Sequence, residues 1–246
     1  MRTDPGRFEA MVEEIRRYVQ FLRDTGVPGV FAAPETAAII SGWDKNTWRH
    51  AGQRAAQKVN RPFPEQDLES LREAFGKCRS CFPEDTPRVS VFGEGPPDAR
   101  VMFVGCFPEQ ADGRSRRPYS GEIGALLTKI IQAMHLERGS VYVCHAVKCL
   151  SPPEKAPTDD MVSACRHHLT GQIRVIRPKV ICTLGEIAAR SVLGIEASIE
   201  QVRGTFHRYD GIPVMPTLDP ADLFSDTARK RMVWTDMQKV MEKLAD

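Results

Sequence analysis

Four short apolar runs, each followed by a stretch with helical periodicity, constrain this chain more than any other feature. The runs are 101–104, 141–143, 180–184 and 212–215. Helical spacing of apolar residues covers about 122–134, 159–175, 186–193 and 227–244, and a further helix at about 65–77 precedes the set. Strands that are apolar on both faces and alternate with helices predict an α/β domain: three layers, α/β/α, around a central, mostly parallel sheet. In such sheets ligands gather at the carboxyl ends of the strands, so the connections at 105–121, 145–157, 185–186 and 216–224 are where function is expected.

The N-terminal quarter reads differently. Residues 7–24 carry Phe8, Met11, Ile15, Val19 and Leu22 at helical spacing, and a second helix is expected at 44–58. Lys45, Arg49, Arg54, Lys58 and Arg61 have no acid among them; of an extended DNA surface and an exposed helix face, the latter is the favoured reading. Residues 61–64, Arg-Pro-Phe-Pro, look like a linker. The expected organisation is therefore a helical extension over 1–64 and an α/β domain over 65–246.

The 34 Lys and Arg against 32 Asp and Glu exclude a polycationic tail but leave room for a local basic patch. The patch is Gly113-Arg114-Ser115-Arg116-Arg117, a loop suited to phosphate. No apolar run approaches the roughly 18 residues of a membrane span, and the N-terminus has no signal-peptide core. A soluble, cytoplasmic, monomeric protein that avoids membranes is expected.

Seven cysteines in such a chain point to metal binding or catalysis rather than to disulfides. Cys78-Arg79-Ser80-Cys81 is a C-x-x-C unit after a helix, Cys149 follows a strand, and Cys165 lies within a helical stretch. Thiolates from such segments suit zinc or an iron–sulfur cluster, and spacing does not separate the two. Cys144 and Cys182 lie within apolar strands and read as small core residues.

The order of these segments resembles the family 4 uracil-DNA glycosylases, the iron–sulfur branch of the uracil-DNA glycosylase superfamily. The likeness runs from about Cys78 to Leu244. It is carried by the C-x-x-C unit, Val91-Phe92-Gly93-Glu94-Gly95, Val101-Met102-Phe103-Val104-Gly105, Arg117-Pro118-Tyr119-Ser120-Gly121, Val147-Lys148-Cys149, Ala164-Cys165-Arg166, Ile176-Arg177-Pro178-Lys179-Val180, Arg203-Gly204 and the stretch from Pro216 to Leu223. The resemblance implies a [4Fe–4S] cluster on Cys78, Cys81, Cys149 and Cys165. It also implies extrusion of a base from DNA and hydrolysis of its N-glycosidic bond. Arg114, Arg116, Arg117 and Pro220 would face the DNA.

The pocket positions depart from the family pattern. Cys106 stands where the family has a water-positioning Glu, His145 where it has the Asn that reads uracil, and Asp219 where it has a His. Tyr119 replaces a stacking Phe and keeps an aromatic face. Phe107, Tyr119 and His145 are the expected contacts to the base, and Cys106, His145 and Asp219 the expected catalytic group. Cys, His and Asp are also the ingredients of an activated nucleophile. Each has an ordinary structural reading as well: a small buried side chain, a hydrogen-bonded histidine at a strand end, and a turn-forming Asp-Pro pair. Three functions follow as expectations. The first is a DNA glycosylase with altered base preference or weakened activity. The second is an inactive module that binds nucleic acid or a damaged base. The third is another hydrolase or transferase using Cys106.

Overall fold

The structure is a computed structural model, and it describes residues 67–80, 89–150, 156–224 and 226–245. The helices expected at 7–24 and 44–58, the linker at 61–64, and Cys81 lie outside the described residues. Helix α1 (Leu68–Gly76) starts at Asp67, whose carboxylate accepts from the backbone N–H of Ser70 at 2.7 Å. The domain then runs β1 (Val101–Gly105), α2 (Gln110–Ser115), α3 (Gly121–Ala133), β2 (Tyr142–His145), α4 (Asp159–Ile176), β3 (Val180–Leu184), α5 (Glu186–Leu193), α6 (Ile199–Val202), β4 (His207–Tyr209), β5 (Ile212–Thr217) and α7 (Thr227–Ala245). Among the described residues, no helix is long and apolar enough to cross a membrane.

The five strands form one sheet in the order β2-β1-β3-β5-β4. The first four run parallel, and β4 closes one edge antiparallel to β5. The four apolar runs became the four parallel strands. Strand β4 was not foreseen because His-Arg-Tyr carries no apolar run and forms only a three-residue edge.

Side-chain alternation divides the core into two layers. Val101 and Phe103 of β1 face α3 and α7, joining Leu127, Ile131, Met237 and Val240. Met102 and Val104 face the other way, toward Leu169 and Ile173 of α4 and Ala188 and Val192 of α5. Cys182 lies in the first layer and Cys144 in the second, both fully buried, as expected of small core residues.

The register aligns the strand ends. Gly105 is level with His145, and Leu184 with Thr217. The residues that follow β1, β3 and β5 therefore share one rim of the sheet with the end of β2. Since β1 sits between β2 and β3, the chain leaves it in one direction and later crosses to the other. A crevice opens at that reversal of strand order.

Candidate functional site

The crevice between the ends of β1 and β3 is a cavity of about 280 Å³. Its walls include Cys106, Phe107, Tyr119, His145 and Asp219. All the residues expected to act on or touch a base thus line one space. His145 ends β2 and Asp219 follows β5, the two outer strands of the parallel set, which lie three strand spacings or roughly 14 Å apart. Tyr119 spans the gap. Its ring centroid is 4.8 Å from that of His145 at an interplanar angle of 36°, and its hydroxyl donates to Asp219 Oδ2 at 2.9 Å.

Local features force this placement. Gly105 ends β1, and a side chain there would collide with the Tyr119 ring, which lies across its backbone. Tyr119 itself has φ +50°, a conformation that costs a non-glycine residue free energy. The surrounding bonds hold it: Arg138 Nη2 donates to the carbonyls of Pro118 at 2.7 Å and Tyr119 at 3.3 Å, and Ser120 N donates to Asp112 Oδ1 at 2.6 Å. Arg138 is in turn paired with Glu94 at 2.9 Å.

Cys106 is held beside Gly185. Its thiol donates to the Leu184 carbonyl at 3.2 Å, bridging β1 and β3. Gly185 has φ +86°, and a Cβ there would stand 2.8 Å from Cys106 Sγ and 3.4 Å from Asp219 Cβ. Burial, with the Asp219 charge adding to it, pushes the Cys106 thiol up to about 12. An activated thiol needs a base or a cation beside it. Cys106 has a carbonyl and a carboxylate instead, while His145 pairs with Asp112. The residues meet in one pocket, but their bonds are not those of a Cys–His–Asp nucleophile.

Asp219 caps the 3₁₀ turn Pro220–Leu223, accepting from Ala221 N at 3.0 Å as an Asp-Pro turn predicts. Burial raises its carboxyl to about 6, although the bonds from Ala221 and Tyr119 oppose the rise. At neutral pH it is an anion. Pro220 is buried in that turn. Burial, reinforced by Asp219, raises the Tyr119 phenol well above its ordinary range, so it stays a donor.

His145 is 2 % exposed, and its Nε2 lies 3.0 Å from Asp112 Oδ2. Burial lowers its pKa despite the neighbouring carboxylate, so the ring is neutral. Asp112 was not foreseen. It lies on α2, a six-residue helix with a glycine and no apolar periodicity, inside a segment that reads as a loop. The only trace in the sequence is the Glu109-x-x-Asp112 spacing of a helix start.

The basic loop is exposed at Arg114, Arg116 and Arg117. Arg117 is already engaged, with Nε 2.7 Å from Glu94 Oε2.

Of the expected metal ligands, Cys149 and Cys165 are buried, and the backbone N–H of Lys148, the residue before Cys149, points at Cys165 Sγ at 3.5 Å. Helix α1 runs antiparallel to α4, with Leu71 against Gly171 and the Phe75 ring 5.0 Å from that of His168. Among the described residues, no three His, Cys, Asp or Glu already form a metal-binding group. The donor chemistry of these segments, thiols with a backbone N–H aimed at sulfur, fits a soft metal or cluster.

Comparison with known proteins points to one superfamily. Residues 92–242 match the model of the uracil DNA glycosylase superfamily. The type-4 uracil-DNA glycosylase of Thermotoga maritima is 36% identical over 180 residues, covering 71% of this chain and 93% of that protein. The type-4 enzyme of Sulfurisphaera tokodaii is 34% identical, covering 71% and 84%. The type-5 uracil-DNA glycosylase of Pyrobaculum aerophilum is 30% identical over 151 residues, covering 54% and 66%.

Proposed function

Because the chain belongs to the uracil DNA glycosylase superfamily, we propose that it is a DNA repair glycosylase. In this reading it accepts an extruded base between the ends of β1 and β3 and hydrolyses the N-glycosidic bond. Its base preference is set by Cys106, His145 and Asp219. The observation that carries this is the rim itself, where an aromatic ring, a neutral histidine and a carboxylate meet in one cavity. Extruding a base costs a few kcal/mol, least for a damaged one, and aromatic stacking returns roughly 1–3 kcal/mol.

Cleavage builds positive charge on the sugar and negative charge on the departing base. Asp219, ionised at neutral pH, supplies negative charge for the sugar or orients a water. His145 and Phe107 take part in holding the base. A protonated thiol that donates to a carbonyl is a poor substitute for a water-positioning carboxylate. Cys106 therefore supports slower turnover than a Glu at that position would give. It also favours a second reading, a damaged-base-binding protein without turnover. Arg114 and Arg116 face the DNA, joined by Arg117 when it leaves Glu94, while Pro220 is buried in the turn that follows Asp219.

A [4Fe–4S] cluster on Cys78, Cys81, Cys149 and Cys165 belongs to the same proposal. When bound, such a cluster supplies a structural tie between the chain after α1, the segment after β2, and α4.

The test is base release from oligonucleotides carrying uracil, hypoxanthine, xanthine or mismatched bases, single- and double-stranded. Release of at least one base is expected. The triple variant Cys106→Glu, His145→Asn, Asp219→His is expected to gain uracil release. No release by either protein, with both folded and carrying the cluster, would leave the binding reading in its place.

A further inference from the structure

Among the described residues, one polar atom of a residue lining the pocket has no partner. His145 Nδ1 is closed to bulk water and makes no hydrogen bond among the described residues. Its state follows from the three donors that converge on Asp112. The backbone N–H groups of Ser120 and Glu109, at 2.6 and 3.1 Å, can only donate. They occupy one oxygen each, so the Asp112 carboxyl is an acceptor at both oxygens. Burial works against its charge, but the bonds from His145, Ser120 and Glu109 hold its pKa below the ordinary value.

The imidazole nitrogen facing that carboxylate must therefore carry a proton. His145 is buried and kept neutral, with Lys148 and Arg138 also disfavouring its cation. A neutral ring has one N–H, and here it is at Nε2. Nδ1 is left with a lone pair. Tyr119 cannot supply a proton to it, because its hydroxyl is donated to Asp219. A buried acceptor with no donor carries a standing penalty, which a ligand can relieve.

We propose that Asp112 is a positioning residue that fixes His145 with Nδ1 as an acceptor, and that the pocket selects bases presenting a ring N–H to it. These are the lactam bases, such as uracil, hypoxanthine and xanthine. An amide at this position offers a donor and an acceptor and can turn to present either. The Asp112–His145 pair offers only the acceptor. The inference rests on the reading of the cavity as the receptor of an extruded base.

The experiment uses the full chain labelled with ¹⁵N-histidine and with ring-¹³C tyrosine. The probes are two short single-stranded oligonucleotides, each with one deoxyuridine on an arabino-configured 2′-fluoro sugar that resists cleavage. One keeps N3–H and the other is N3-methylated. In the free protein His145 is expected to show a protonated Nε2 and an unprotonated Nδ1. The N3–H probe shifts the Nδ1 signal, and the methylated probe binds at least about tenfold more weakly, the loss of a hydrogen bond to a buried acceptor. In Asp112→Asn, with the fold checked by circular dichroism, the proton spreads to Nδ1 and discrimination between the probes falls to less than about threefold. A purely structural Asp112 would not move the tautomer. A protonated Nδ1 in the free wild type overturns the proposal even if the variant fails to fold. So does equal binding of both probes with Tyr119 ring signals perturbed. If neither probe perturbs Tyr119, the base-receptor reading fails and takes the selectivity with it, whichever tautomer is found.

Discussion

Tyr119 and Asp219 are 100 residues apart in sequence, yet the phenol of one donates to the carboxylate of the other at 2.9 Å. Because the same ring lies against His145, one side chain connects the two ends of the pocket. Tyr119→Phe keeps the ring and removes only the donor. The Tyr119 bond lowers the Asp219 pKa, so in the variant this carboxyl is expected to titrate above its present value of about 6. Carboxyl ¹³C shifts followed against pH check this, and an unmoved Asp219 would show that the bond is absent in solution.

Asp219 also gives stability a pH dependence of definite sign. Its folded-state pKa, about 6, lies above the ordinary 3.8. A carboxyl raised on folding favours the folded state when protonated. Its contribution is fully present below about pH 4 and is lost as pH rises through 6. The difference amounts to something on the order of 3 kcal/mol. Asp219→Asn, which cannot ionise, is expected to gain stability relative to wild type between pH 4 and pH 7. Urea denaturation at both pH values measures it, and a constant difference would contradict the raised pKa.

Gly185 tolerates no side chain. Its φ of +86° strains any L-residue, and a Cβ would press on Cys106 Sγ at 2.8 Å. Gly185→Ala is expected to cost about 2 kcal/mol or more. Adding Cys106→Ala removes the contact with sulfur but not the backbone strain, so it should restore only part of the loss. Thermal melts of the single and double variants separate the two contributions.

The basic loop divides into two exposed arginines and one that is engaged. Neutralising Arg114 or Arg116 is expected to weaken DNA binding regardless of sequence and to remove about one unit of salt slope each. Arg117 must first leave Glu94, so its loss should cost less. Fluorescence anisotropy at several salt concentrations tests this ranking, and three equal effects would mean that the Glu94 pair does not hold Arg117 in solution.

Anaerobically purified protein is expected to be brown and to contain iron and sulfide. Cys149→Ser should lose both and melt at a lower temperature, because metal binding is coupled to folding. Colourless protein with one zinc per chain would rule out the cluster.

How far the sequence reveals this molecule depends on range. Strands β1, β2, β3 and β5 were legible because their residues are apolar on both faces, a local property. The pocket members Cys106, His145 and Asp219 were legible because they stand at strand ends in segments that resemble a known family. Asp112 was not, since its place in the site comes from a hydrogen bond to His145 on strand β2, and α2 lacks the periodicity that marks a helix. Gly185 reads as a strand-to-helix turn, and its closeness to Cys106 emerges only when β1 and β3 align. The engagement of Arg117 by Glu94, 23 positions away, is hidden for the same reason.

The pocket's bonds join distant stretches of chain: Cys106 to Leu184, Asp112 to His145, and Tyr119 to Asp219. Closing such long loops is slow, and its entropic cost falls before the contacts form. No fragment of the domain can hold this cavity, because each wall comes from a different strand of the parallel set. The cavity should therefore appear late in folding and vanish early in unfolding, together with the docking of β5 against β3. An occupant would act as a clamp on the whole sheet, slowing exchange of the amide hydrogens in β3 and β5 far beyond the residues it touches.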